Sequence, residues 1–492
     1  MSEERISTGA GFAFLAQMVG AVLTAVLTIF LGRALTAQQY GYLVFAVSVV
    51  VLATLFADVG ISASAGRFVA ERRDDPAAAA SVFGTAARLK LRFGLIASVL
   101  LFVLAGPICD AFGTHGAVWP LRVLAISLLA QSMFQLLLGS FVALGRIRYN
   151  VVIATVESVV ELLASVVLVL LGAAATGAAL GNAAGYTVGA VVGLVVARRV
   201  FGSLRSSVRR PPAVSSRQIL SYAGPLLLVD AAFRVFGSID VLLIAALVGG
   251  GAPVAAFGLS MRLTVFLEYP AAAVAAAVAP RLARWRQGEN ELALLAESLR
   301  YLLTLQMMFT APLIIWSQAI MHLIFGDKYP GAPAVLQALT PYVYLSGIAQ
   351  VTTLAVNYLG QARRRVPIAI MMLCLNAAID IVLLPRIGIV AGAIGTSAAY
   401  AVWVPAHLWI LHKRTGLALR PLALTVLRTC VAGAAMVGVL AALGTGVVPP
   451  ALMAAGLILG PLTYVLALLA VRELTPGDLA YLRNVVARRV AA

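Results

Sequence analysis

Long apolar runs, broken at short intervals by arginine-bearing loops, constrain this chain more than any motif in it. A helix that crosses a bilayer needs about 20 mostly apolar residues, and fourteen such runs can be placed. In the first half they cover about 9–32, 41–63, 90–107, 119–144, 151–171 and 177–197. The second half gives about 218–247, 253–279, 298–325, 333–358, 366–385 and 390–411, and two more follow at about 421–444 and 450–471. Of the 492 residues, 62% are hydrophobic and 11% charged, whereas a soluble domain is roughly a quarter charged. This excludes a soluble enzyme, a disordered regulator and a disulfide scaffold. The expectation is an all-α polytopic membrane protein.

The net charge of +17 would suggest nucleic acid in a soluble protein, so the positions of the charges decide. Of the 36 Lys and Arg residues, 29 fall in alternate loops, at the basic span ends beside them (Lys90, Arg92, Arg300) and at the two ends, among them Arg5, Arg67, Arg88, Arg363–Arg365 and Arg472. Only Arg33, Lys328 and Arg386 fall on the other side. The positive-inside rule then places both termini in the cytoplasm, in a multi-pass protein of the cytoplasmic membrane. It also removes nucleic acid as a partner, because the basic residues alternate with spans and form no single patch. The three cysteines, Cys109, Cys374 and Cys430, have no metal or redox spacing and read as small hydrophobes. The first apolar run is too long for a signal peptide and reads as an uncleaved span.

An internal repeat appears at an offset of about 214 residues. Ala178–Tyr186 reads AALGNAAGY and Gly392–Tyr400 reads GAIGTSAAY. Gly145 to Arg148 corresponds to Gly360 to Arg363, and Phe112-Gly113 to Phe325-Gly326. An even number of spans per repeat keeps both copies in one orientation. The expected organisation is an amino-terminal six-helix lobe (1–200), a Pro- and Ser-bearing cytoplasmic linker (201–217) and a second six-helix lobe (218–416). Two extra helices (417–472) and a cytoplasmic tail (473–492) complete it.

No catalytic motif, metal-ligand spacing or phosphate loop stands in the sequence, so neither enzyme chemistry nor a cofactor is expected. Small-xxx-small patterns such as Gly181 to Gly185 and Gly185 to Gly189 read as close helix packing. The informative residues are ionisable groups inside spans, which are costly there and tied to a cavity or a partner. They are Asp58, Glu157, Glu161, Asp230, Arg234, Asp240, Arg262, Glu268 and Asp380. Asp230 and Arg234, four apart, share a helix face. Either they neutralise each other, or Asp230 holds Arg234 toward a central cavity for an anionic substrate. Arg262 is the second deep cation, with Asp240 or Asp230 as an alternative partner; Asp240 and Glu268 complete the candidate substrate-binding set. Glu157 and Glu161 share a face of the fifth span and, with Asp58 and Asp380, are candidates for ion coupling. Each of these four acids also has a structural reading.

Three stretches carry a family resemblance: GRALTAQQYGYLVFAVSVVVLATLFADVGISASAGRFVAE from Gly32, FGDKYPGAPAVLQALTPYVYLSGIAQ from Phe325 and NAAIDIVLLPRIGIVAGAIGTSAAYAVW from Asn376. The chain resembles the Wzx-type polysaccharide flippases of the multidrug/oligosaccharidyl-lipid/polysaccharide transporter superfamily over nearly its whole length. The resemblance implies a fourteen-helix fold with V-shaped lobes and alternating access. It further implies translocation of undecaprenyl-pyrophosphate-linked oligosaccharide to the outer leaflet, with membrane lipids and other polysaccharide-assembly membrane proteins as partners. The last two helices would then hold part of the lipid tail, with extra packing or a dimer surface as the alternative. Arg234 and Arg262 would be the cations for the pyrophosphate, at depths differing by about 6–7 Å at 1.5 Å per residue. Three alternatives stand beside this reading: a lipid II flippase, a cation-coupled drug antiporter of the same superfamily, and a membrane glycosyltransferase or polymerase. The first would have several arginines in the first span, the second an acid deep in it, and the third large external loops.

Overall fold

The computed structural model describes residues 3–201, 214–283 and 289–474. Most of the expected linker and of the carboxyl-terminal tail lies outside these residues. Helices follow one another throughout: α1 (Glu3–Ala34), α2 (Ala37–Asp58), α3 (Ile61–Ala70), α4 (Pro76–Ala111), α5 (Val118–Ala143), α6 (Ile147–Leu168), α7 (Ala174–Val200) and α8 (Ser216–Leu247). After them come α9 (Ala252–Ala283), α10 (Glu289–Phe325), α11 (Ala332–Ala338), α12 (Thr340–Tyr358), α13 (Ala362–Ile387), α14 (Val390–Thr415), α15 (Leu419–Leu443) and α16 (Pro450–Ala470). Among the described residues, nine helical stretches are long and apolar enough to cross a membrane, with Ile147–Val200 counted once. Outward faces such as Leu95, Ile96 and Val99 of α4 and Leu457, Ile458 and Leu462 of α16 are exposed, as lipid contact requires.

Local sequence explains where the helices begin. Thr36 and Gln39 form a capping box at α2, as Ser215 and Gln218 do at α8, each satisfying amides that the first turn leaves open. At α4 the Asp75 side chain accepts from the amides of Ala77 and Ala78, and Pro76 occupies the first turn, where no amide is needed. That start corrects the expected third span. The helix begins at Pro76, not near residue 90, and Lys90 lies inside it. The expected second span is likewise broken. Val59 and Gly60 both take left-handed conformations (φ 45° and 72°), which ends α2 at Asp58 and starts α3. Gly145 and Gly360, paired by the internal repeat, both have φ 69°, and Gly113 and Gly326 have φ 62° and 71°. The repeat is therefore written in the turn geometry, where an L side chain would be strained.

The chain divides into two compact units, Met1–Leu259 with Ala369–Gly392, and Ser260–Ile368 with Ala393–Ala492. In the first, α6 and α7 form a tight antiparallel hairpin. A methyl on Gly185 would meet Glu161 Cβ at 2.8 Å, and one on Gly189 would meet Glu157 Cβ at 3.0 Å, so the glycines let the backbones approach. Phe83, Phe134, Leu137, Phe141 and Ile153 fill the core beside that hairpin. In the second unit, α15 and α16 pack onto α10. Tyr464 Oη donates to the Thr304 carbonyl at 2.7 Å, and the hydroxyls of Tyr344 and Thr429 lie 2.9 Å apart.

Candidate anion-binding site

In the first unit a seam runs where α2 and α3 meet α8 and the start of α9, and four charges gather near its middle. Asp58, the last residue of α2, accepts from the Ser62 amide at 3.0 Å across the break and pairs with the ammonium of Lys90 on α4. Lys90 is 1% exposed. One turn before Asp58, Thr54 accepts from Arg234 Nη1 at 2.8 Å, while Arg234 Nε donates to Asp230 Oδ2 at 2.7 Å. Lys90 also feels the charges of Arg234 and Asp230. The result is a neutral quartet of two cations and two acids drawn from three helices. Its two halves differ in access: the Arg234 and Asp230 side chains are 32% and 44% exposed. A guanidinium carries five donors in a planar fork, so Nη2 is left to meet a further acceptor.

The seam is in contact on either side of this quartet. Toward one end, Gly41 lies so close to Gly251 that a methyl there would collide with its carbonyl, and Gly258 packs on Val44. Toward the other, Gly60 lies against the Ala223 carbonyl, and the Arg67 guanidinium sits 4.3 Å from the centre of the Tyr222 ring.

The other expected site residues fall into separate groups. Asp240, 5% exposed, accepts from the Asn376 amide, and Asp380, fully buried, lies beside Asp240. Neither Asp380 oxygen has a hydrogen-bond donor among the described residues. Glu161 accepts from Asn182 Nδ2 at 2.8 Å, and Glu157 from the Ser158 hydroxyl at 3.0 Å. In the second unit, Tyr342 Oη donates to Glu268 Oε1 at 2.6 Å, with the Tyr400 ring edge-on to Tyr342 at 4.7 Å. Arg262, six residues before Glu268 on α9, is exposed; the spacing puts the two on different helix faces.

Sequence reasoning missed Lys90, which it placed among the loop cations. The signal was present: an Asp-Pro start at residues 75–76 sets Lys90 fourteen residues into a helix, about 21 Å from its first turn. Thr54 and Asn376 gave no signal of their own, because an uncharged polar residue in a span is unremarkable until its partner is placed.

A two-unit, all-helical chain with lipid-compatible faces and charges gathered inside its helix packing has the architecture of a polytopic transporter. Solved structures agree. "Lipid II flippase MurJ, inward closed conformation" matches with TM-score 0.73 and 14% identity, covering 93% of this chain and 98% of that one. An inward-facing multidrug resistance MATE family transporter of the MOP superfamily matches with TM-score 0.65 and 14% identity, covering 82% and 98%. At these identities the likeness is one of fold. Among curated proteins, the "Probable low-salt glycan biosynthesis flippase Agl15" of Haloferax volcanii is 21% identical over 214 residues, 43% of this chain and 45% of that protein. The match thus spans less than half of that relative's length. Residues 6–286 match the polysaccharide biosynthesis protein family. The chain belongs to that family.

Proposed function

We propose that this chain is a flippase that carries an undecaprenyl-pyrophosphate-linked oligosaccharide from the cytoplasmic to the outer leaflet by alternating access. The observation that carries this reading is Arg234, held by Asp230 and Thr54 at a seam in contact on either side, with a nitrogen to spare. A pyrophosphate crossing hydrocarbon needs cations whose own burial is compensated in every state. Here Asp230 compensates Arg234 in the empty protein, and the phosphate oxygens replace Asp230 when substrate binds. Arginine suits the exchange because its fork stays charged and binds phosphate oxygens in pairs. Lys90, fixed by Asp58, adds a second positive charge nearby, while Arg262 is a further candidate contact in the other unit. Both termini lie on the cytoplasmic side, as the distribution of basic residues favours. Ion coupling is assigned to the buried Asp240–Asp380 pair, since two adjacent carboxyls need a proton or a cation between them.

The test is export of the lipid-linked glycan in cells that depend on this chain, with variants matched for expression and thermal stability. Arg234→Ala abolishes export, Arg234→Lys restores it in part, and Arg262→Ala weakens it. Lipid II transport in the same cells is unchanged. Full export by the Arg234→Ala variant would remove Arg234 from the substrate path and the proposal with it.

A further inference from the structure

The second unit holds a cavity of about 640 Å³ that the anion site does not use. It is built around a bend in α10. Pro312 has no amide hydrogen for the helix ladder, and Trp316 leaves the helical conformation at φ −107°, ψ 15°. Two side chains hold the bend. Gln337 Nε2 donates to the Ile314 carbonyl at 2.7 Å, and Trp316 Nε1 donates to the Gly444 carbonyl at 3.1 Å. The second bond fastens the loop between α15 and α16 over the bend, and a methyl on Gly456 of α16 would run into the Trp316 ring. The cavity is thus a fixed feature of the unit, walled by α10, α11 and that loop.

Its lining has a definite chemistry. Ser317, Gln318 and His322 of α10 face it, together with Asp327, Gln337 and Thr445. His322 Nδ1 and Asp327 Oδ1 are 2.7 Å apart, so the one acid is already partnered. No group among the described residues bonds the Ser317 hydroxyl, the Gln318 amide or the Thr445 hydroxyl. Without a lysine or arginine the cavity is unsuited to a phosphate, and the six polar side chains set among Ile314, Ile315, Met321 and Pro330 make it unsuited to a lipid tail. Uncommitted hydroxyls and amides that each donate and accept match a neutral, hydroxyl-rich ligand. The volume lies in the range that encloses a small ligand. The cavity sits at the Lys328 end of α10, which the distribution of basic residues places outside the cell, while Arg300 lies near the other end.

We infer that this cavity is a saccharide subsite that takes neutral sugar residues of the exported glycan on the outer face. The inference rests on the flippase reading above. Holding the glycan there would favour its departure outward, because return would require breaking these hydrogen bonds.

The experiment uses the full chain in lipid nanodiscs and two probes. One is bare undecaprenyl pyrophosphate; the other is the oligosaccharide-bearing lipid extracted from native-host cells lacking this chain. The unaltered protein is expected to bind the glycosylated lipid more tightly than the bare one. In Gln318→Ala and His322→Ala that preference falls about tenfold, the loss of two or so hydrogen bonds, while affinity for the bare lipid is unchanged. Thr445→Ala, on a loop, repeats the measurement where folding is least at risk. If the variants keep the full preference, or if the unaltered protein binds both lipids equally, the subsite is wrong and the flippase reading stands. Binding of neither lipid by the unaltered protein would overturn the flippase reading itself.

Discussion

Two ionic clusters, one in each unit, use carboxylates, basic side chains and a threonine to opposite ends. In the second unit, Glu473 is 2% exposed and accepts from Arg300 Nε at 2.9 Å, Arg428 Nη1 at 3.2 Å and the Thr425 hydroxyl at 2.9 Å. Both carboxylate oxygens are filled, and the Glu473 carbonyl accepts from Arg300 as well. This saturated acid fastens the chain just beyond α16 to α10 and α15, and has nothing left to exchange. In the first unit the charges pair one to one, the Asp230–Arg234 half is open, and the guanidinium is not used up. Burial of charge alone does not distinguish the two. The acids do: Glu473 is 2% exposed and holds three side-chain donors, whereas Asp230 is 44% exposed and, among the described residues, holds only Arg234, so that cation can change partners.

The largest expected effect comes from the closed half of the quartet. Lys90→Met leaves Asp58 with the Ser62 amide but without its counter-charge, and losing one partner of a buried pair costs about 3–5 kcal/mol. Thermal unfolding in detergent should show the drop. Adding Asp58→Asn should recover most of it, since the unpaired charge is then gone. A single variant as stable as the parent would mean that water already compensates Asp58.

Glu473→Gln should do less. Its arginines are 33% and 39% exposed and can turn toward water, so a loss of about 1–2 kcal/mol is expected. Export should continue, which is the contrast with Arg234→Ala. Loss of export by Glu473→Gln at unchanged stability would break the division between fastener and exchanger.

The sequence carried these two clusters unequally, for reasons that lie in reach. Asp230 and Arg234 are four residues apart on one helix, so their pairing is local and was legible. Glu473 meets Arg428 and Arg300 across 45 and 173 residues, and no periodicity reports a contact of that kind. The pairing of Asp240 with Asn376, 136 residues apart, was hidden in the same way. Fold class and helix order were legible because apolar length is a property of each segment. Helix ends were less so. Hydropathy finds the part of α4 that suits a membrane, yet the helix continues to Pro76 because Ala79, Val82, Phe83 and Ala86 pack into the core of the first unit.

The smallest effects test whether the seam around the quartet moves, and two glycines at one end separate cause from bystander. At Gly41 a methyl would lie 2.5 Å from the Gly251 carbonyl carbon and 3.0 Å from its Cα. Backbone cannot swing aside, so Gly41→Ala must hold that end of the seam apart. At Gly251 a methyl instead meets the end of the Gln38 side chain, 2.7 Å from Cδ. Gln38 can rotate away at the cost of its 2.8 Å bond to the Tyr42 hydroxyl, an exposed hydrogen bond worth about 0.5–1 kcal/mol. Cysteine placed at Val44 and probed with a water-soluble thiol reagent reads the difference. Gly41→Ala should raise its labelling about tenfold or more, whereas Gly251→Ala should raise it a few-fold at most, in proportion to that bond. Export should fall in the same order if the seam must close there during the cycle. Equal labelling in both variants would show that the glycine contact does not set the closed state, and the seam would then be held by the quartet and by the Gly60–Ala223 and Arg67–Tyr222 contacts at its other end.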